Sequence, residues 1–225
     1  MKRGFLGLLI AGLAALSAPA TGAQRPAAAG NTAQAGVACL VGREPAAFTQ
    51  LLRTPPYSVA ERREAARLLP LFRRCRNEDE TLSTSAAQLR AAAAEHLYGR
   101  EFATAQAART PPLAVAPLLR VDQARDRAEV EPLAATFTLF ECLTAAHPDA
   151  VRAYLATVPA SEAEQTAFRA LSPGLVACLP SGGSRQLALG GAAMRGVLAE
   201  MLYRWSIVQR DGAASPFAAA PTPAR

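Results

Sequence analysis

The chain has 225 residues, of which 51 % are hydrophobic and 19 % charged, with a formal net charge of +6. That length suits one or two compact domains, and the composition excludes a wholly disordered polar chain. Aromatics at 6 % argue against a sheet-rich fold, because strands draw on aromatic and β-branched residues.

Residues 1–23 read as a cleaved secretory signal peptide. Lys2 and Arg3 open the chain, residues 5–16 are uncharged and rich in Leu, Ala and Gly, and a small-residue run leads to cleavage after Ala20 or Ala23. The apolar core falls short of the ~20 residues that span a bilayer, and no later run is long enough, so no integral membrane span is expected. The first cysteine, Cys39, lies too far beyond that core for lipid attachment. The predicted location is therefore periplasmic or extracellular, an oxidising compartment in which thiols pair. Lys2 is the only lysine, and losing it with Arg3 leaves 22 arginines against 18 acids, a charge of +4. That surface is too mixed for a nucleic-acid footprint.

Residues 24–36 read as a flexible linker, followed by a first helical unit over 37–108. Ser58 and Glu61 form a Ser-x-x-Glu capping box, in which the hydroxyl accepts from a backbone N–H three residues on and the glutamate reaches back. Ala65, Leu68, Phe72 and Cys75 then step along one helix face, with Arg62, Arg63, Arg67 and Arg74 largely on the other. Pro70 is expected to break or kink this helix into two pieces. A last helix spans about 85–108. Residues 109–132 form a proline-broken connector with a short charged helix.

The second unit, over 133–208, repeats the first. Cys39 and Cys75 are 36 residues apart, as are Cys142 and Cys178, and a shift of 103 residues lays one pair on the other. The same shift matches Pro45 with Pro148, Leu52 with Leu155, Ser58 and Glu61 with Ser161 and Glu164, and Leu68 and Pro70 with Leu171 and Pro173. After a two-residue insertion, Glu95 and Tyr98 meet Glu200 and Tyr203. In this copy the helix over 133–146 carries Phe137, Phe140 and Cys142. Phe168, Leu171, Leu175 and Cys178 repeat the second stripe, and Met194, Val197, Leu198, Met201, Leu202 and Trp205 line a final helix over 187–208. Two copies of one unit follow. The predicted fold is all-α: two tandem disulfide-stapled helical repeats of four or five short helices each, then a disordered tail over 209–225.

Equivalent units close equivalent loops, so the pairing predicted is Cys39 with Cys75 and Cys142 with Cys178. Isolated cysteines lack the short spacings of zinc, thioredoxin-like or haem sites, and no metal or cofactor is expected. His96 reads as a helix-edge or core residue and His147 as a turn residue before Pro148. No Gly-x-Ser-x-Gly or phosphate-binding glycine loop occurs. If the copies face each other across a pseudo-twofold, Glu95, Tyr98, Glu200 and Tyr203 line a shared groove. Arg62, Arg63, Arg67 and Arg74 are candidates for contact with an anionic surface. The expected role is non-catalytic: protein–protein interaction or envelope structure, with another envelope or secreted protein as partner. The competing expectation is a small secreted hydrolase or peptidoglycan-active enzyme that uses Glu95 or Glu200.

Overall fold

The computed structural model describes the backbone of residues 27–75, 85–104, 114–179 and 190–219, with side chains from residue 35 onward. Residues 1–23, read above as a signal peptide, together with residues 105–108 of the helix expected over 85–108 and residues 220–225 of the expected tail, lie outside the described residues. Helices run in the order α1 (Ala27–Arg43), α2 (Pro45–Arg53), α3 (Val59–Arg74), α4 (Ala86–Phe102), α5 (Arg127–Val130), α6 (Ala134–Ala146), α7 (Pro148–Leu155), α8 (Glu162–Cys178) and α9 (Gly191–Asp211). Among the described residues the fold is all-helical, with isolated bridges at Ser58–Ala124 and Val115–Ala218 in place of any sheet. None of these helices is long and apolar enough to cross a membrane.

Local chemistry sets the same boundaries in both halves. Pro45 and Pro148 stand at the first turn of α2 and α7, where a missing N–H costs nothing. The residues before them, Glu44 and His147, share one backbone conformation, φ/ψ −133/54° and −134/51°. Ser58 and Ser161 cap α3 and α8 by accepting from Glu61 N and Glu164 N at 3.0 and 3.1 Å. Their glutamates return one residue further than a standard capping box. Glu61 Oε2 accepts from Tyr57 N and Glu164 Oε2 from Ala160 N, each at 2.6 Å. Tyr57 and Ala160 are both held at φ 61°, a region that side chains normally avoid.

Pro70 and Pro173 do not break their helices, contrary to the sequence expectation. A proline deprives the carbonyl four residues earlier of its donor. Here those residues, Ala66 and Arg169, are solvent-exposed, as are the prolines themselves, so the carbonyls deprived of a donor belong to the solvent side of each helix rather than to the core. The outer face thus absorbs the proline while Leu68, Phe72 and Leu171 stay buried inside.

Both predicted disulfides form. Cys39–Cys75 ties α1 to the end of α3, and Cys142–Cys178 ties α6 to the end of α8, each with Cα atoms 5.8 Å apart. The most extensive helix contact joins α4 to α9, with α1 packed on α4 and α6 on α9. Leu89, Ala93, Leu97, Leu198, Ala199 and Leu202 form the buried centre of this four-helix layer. At the crossing, a Cβ on Gly196 would lie 2.2 Å from the Cβ of Ala91, so only glycine permits this approach.

Four expected segments differ. Helix α1 extends back to Ala27, through what reads as linker. Helix α4 ends at Phe102, while α9 runs on to Asp211. Residues 209–219, assigned above to a disordered tail, are folded: Phe217 is 1 % exposed, packs edge-on to Tyr203 at 6.2 Å, and its carbonyl accepts from Ala116 N at 2.8 Å. A single buried aromatic anchors that segment where alanine and proline alone would not. In the connector, Val121–Gln123 is a single 3₁₀ turn ahead of α5, and Arg125 N donates to Tyr57 O at 3.0 Å.

Candidate functional site

The densest polar constellation is built around two buried arginines. Arg90 of α4 is 4 % exposed, and its fork collects acceptors from three elements. Nε donates to Glu200 Oε2 at 2.5 Å, and Nη2 donates to the other oxygen of that carboxylate. Nη1 and Nη2 also donate to the carbonyls of Leu51 and Leu52 at 3.0 and 3.1 Å. Nη1 further reaches Thr54 Oγ1 at 3.3 Å and Glu61 Oε1 at 3.4 Å. Thr54 also donates to the Leu51 carbonyl, through its N–H at 3.1 Å and its hydroxyl at 2.6 Å, so the guanidinium completes the C-terminal cap of α2 and is the charge partner of that helix end.

Arg195 of α9 does the same in the other half. Nε and Nη2 donate to Glu95 Oε1 at 2.9 and 2.6 Å, and Nη1 donates to Glu164 Oε1 at 2.9 Å. Tyr154 O and Leu155 O, at the end of α7, accept at 3.2 and 2.6 Å, and the Thr157 carbonyl at 3.0 Å. Each arginine therefore clamps a helix end and a capping glutamate of its own half, then takes its main carboxylate from the other half. The pairs cross: Arg90 of α4 with Glu200 of α9, Arg195 of α9 with Glu95 of α4.

Burial by itself would depress the Arg90 guanidinium, but the charge of Glu200 and then that of Glu61 outweigh it and hold the group above its ordinary value. Arg195 is likewise raised, against burial, by hydrogen bonding to Glu95 and then Glu164. Burial pushes the Glu61 carboxyl up, opposed by Arg90. These are charge-assisted, partly bidentate pairs, the strongest class of side-chain hydrogen bond.

The four residues expected to line a groove lie along this α4–α9 contact. Glu95 and Glu200 are taken up by the arginines, and Tyr98 and Tyr203 are buried with Phe102 between them, at 6.1 and 5.9 Å between ring centroids. Both phenols are raised by burial. Arg62, Arg63, Arg67 and Arg74 are exposed on α3, where Arg67 pairs with Glu64 at 2.8 Å. His96 is half-buried and lowered first by burial, then by Arg100. His147 packs its ring over Gly174, at the α6–α7 turn. Among the described residues no group of three or more His, Cys, Asp or Glu is arranged to hold a metal.

Sequence reasoning passed over Arg90 and Arg195. The signal was present: the register that lays Glu200 on Glu95 also lays Arg195 on Arg90, two charges retained within otherwise apolar helix faces.

A second polar feature belongs to the second half. Between α6, α9 and residues 114–118 lies a half-open cleft of about 250 Å³. Arg204, Trp205, Thr144 and Glu141 contribute polar groups to mostly apolar walls. Arg204 Nε and Nη1, Trp205 Nε1 and Thr144 Oγ1 are buried without hydrogen-bond partners. Glu200 Oε1 lies 3.8 Å from Arg204 Nε but is bound to Arg90. Burial, opposed by Glu200, reinforced by Arg90 and opposed more weakly by Glu141, brings the Arg204 guanidinium down to about 10. Its planar face rests 4.8 Å from the Phe217 ring centroid.

No protein-family model, curated protein or solved structure matches the chain.

Proposed function

We propose that this is an exported, non-catalytic helical protein, made of two copies of one disulfide-stapled unit, that serves as a structural or protein-binding component of the cell envelope. The observation that carries the reading is the pair of crossed arginine clamps. Both halves devote their matched polar residues to tying helix ends together and to joining α4 with α9. The disulfides at equal spacing, the two φ 61° residues and the two shifted capping boxes support duplication of one unit. Two disulfides suit an oxidising compartment. The exposed arginines of α3 offer a basic face to an anionic partner surface.

The hydrolase reading needs a carboxylate free to exchange a proton with substrate. Glu200 spends both oxygens on Arg90, and Glu95 accepts two bonds from Arg195, which favours the structural role. The test is expression of the full chain in a Gram-negative host, followed by fractionation, N-terminal sequencing and peptide mapping without reductant. The expected product lies outside the cytoplasm, begins just after Ala20 or Ala23, and carries both disulfides. Cytoplasmic retention of an uncleaved chain would overturn the export reading. Turnover of peptidoglycan or ester substrates that disappears in Glu95→Gln or Glu200→Gln would overturn the non-catalytic one.

A further inference from the structure

We propose that the cleft between α6, α9 and residues 114–118 binds a free apolar α-amino acid, such as leucine, with its carboxylate on Arg204 and its ammonium on Glu141.

The argument starts from a contrast between the two halves. Arg90 and Arg195 occupy matching positions and are saturated with acceptors. Arg204 stands where the first half has Gly99, Trp205 where it has Arg100, Glu141 where it has Ala38, and Thr144 where it has Val41. The framework of the fold therefore does not require these four residues; the first half is built without them. They nevertheless converge on one cleft.

Their chemistry defines a ligand. Arg204, Trp205 and Thr144 present buried donors that no acceptor among the described residues engages, while the adjacent Glu200 carboxylate is committed to Arg90. A ligand carboxylate supplies the missing acceptors. Glu141 stands in the same cleft with one oxygen, Oε1, accepting from Leu118 N at 2.6 Å; its other oxygen makes no hydrogen bond among the described residues. It forms no ion pair with Arg204. A cation and an anion that share one cleft without touching suit a molecule with both charges. The remaining wall, including Val115, Leu118 and Met201, is apolar and suits an aliphatic side chain. The volume lies below the ~300–1,000 Å³ typical of drug-sized ligands, which points to something of amino-acid size. Binding there requires neither export nor a protein partner.

Isothermal titration calorimetry of the disulfide-bonded protein tests this with leucine, with 4-methylpentanoate, which lacks the ammonium, and with 3-methylbutylamine, which lacks the carboxylate. Leucine is expected to bind saturably, and each analogue about tenfold more weakly or worse. Arg204→Met is expected to lose leucine binding while its circular dichroism spectrum and melting temperature are retained. Should that variant fail to fold, Trp205→Phe and Thr144→Val remove single donors with little change of shape and are each expected to weaken leucine several-fold. Glu141→Gln should erase the preference for leucine over 4-methylpentanoate. Absence of binding by leucine, valine and phenylalanine at millimolar concentration overturns the proposal, as does unchanged affinity in the folded donor variants. Equal affinity for 4-methylpentanoate and leucine in the unmodified protein overturns the assignment of a zwitterion.

Discussion

Arg90 brings a charge into the interior at the cost of its hydration, and only a complete set of acceptors makes that tolerable. Removing it strands Glu200, which is 3 % exposed, together with the end of α2. Arg90→Met is therefore expected to destabilise the protein by about 3–5 kcal/mol in urea unfolding, whereas Arg90→Met combined with Glu200→Met should cost much less than the two single losses added. Arg195→Met should be milder than Arg90→Met, because its partners Glu95 and Glu164 are 22 % and 17 % exposed and water replaces part of the lost contact. A second expectation concerns alkali. All four tyrosines are raised by burial, Tyr154 up to about 12. Between pH 10 and pH 12 the folded form keeps a proton on Tyr154 that the unfolded chain has lost. Stability linked to it is thus complete below pH 10 and declines as pH rises through that window. Unfolding midpoints measured from pH 9 to 12 should fall less steeply in Tyr154→Phe than in the unmodified protein.

Helices α4 and α9 meet where small residues allow it, and that closeness brings each arginine within reach of the opposite carboxylate. Gly196 is the critical position, since its missing Cβ leaves room for Ala91. Gly196→Ala gains up to about 1 kcal/mol of helix propensity but drives a methyl into the opposing helix. The expected net outcome is a loss of about 1–2 kcal/mol, with part of it recovered when Ala91→Gly is added, both read from thermal unfolding. Helices α3 and α8 carry a different lesson. A capping serine at one end, a disulfide at the other and a buried stripe between them hold the helix across a proline on its wet face.

Across the whole molecule, each disulfide joins the first helix of its half to the third, while the α4–α9 contact and the crossed pairs join the halves. The core is built largely of leucine, with aromatics such as Phe48, Phe72, Phe140, Tyr154, Tyr203 and Phe217 as its largest fully buried side chains. Closure of each loop is worth up to about 4 kcal/mol by chain entropy, a large part of the net stability of a small protein. Cys39→Ser with Cys75→Ser, and separately Cys142→Ser with Cys178→Ser, should each lower the guanidinium midpoint substantially. Because the halves share a buried interface, loss of either bridge should weaken a single cooperative transition rather than melt one half alone. Two resolved transitions in calorimetry would contradict this.

What the amino-acid order determined by itself was local or periodic: helical class, the serine caps, the buried stripes, and the disulfide partners through their equal spacing. Each of these depends on residues a few positions apart, or on matching one stretch with another. Tertiary structure alone decided where the charges go. In the sequence Arg90 and Arg195 stand out only as matched charges on apolar helix faces, and their partners are decided when α4 crosses α9 and the arginines claim Glu95 and Glu200. Phe217 reads as part of a loose tail until Tyr203 and residues 114–116 surround it. Desolvation and the pairing it enforces depend on neighbours about a hundred residues away, and no local pattern carries that information.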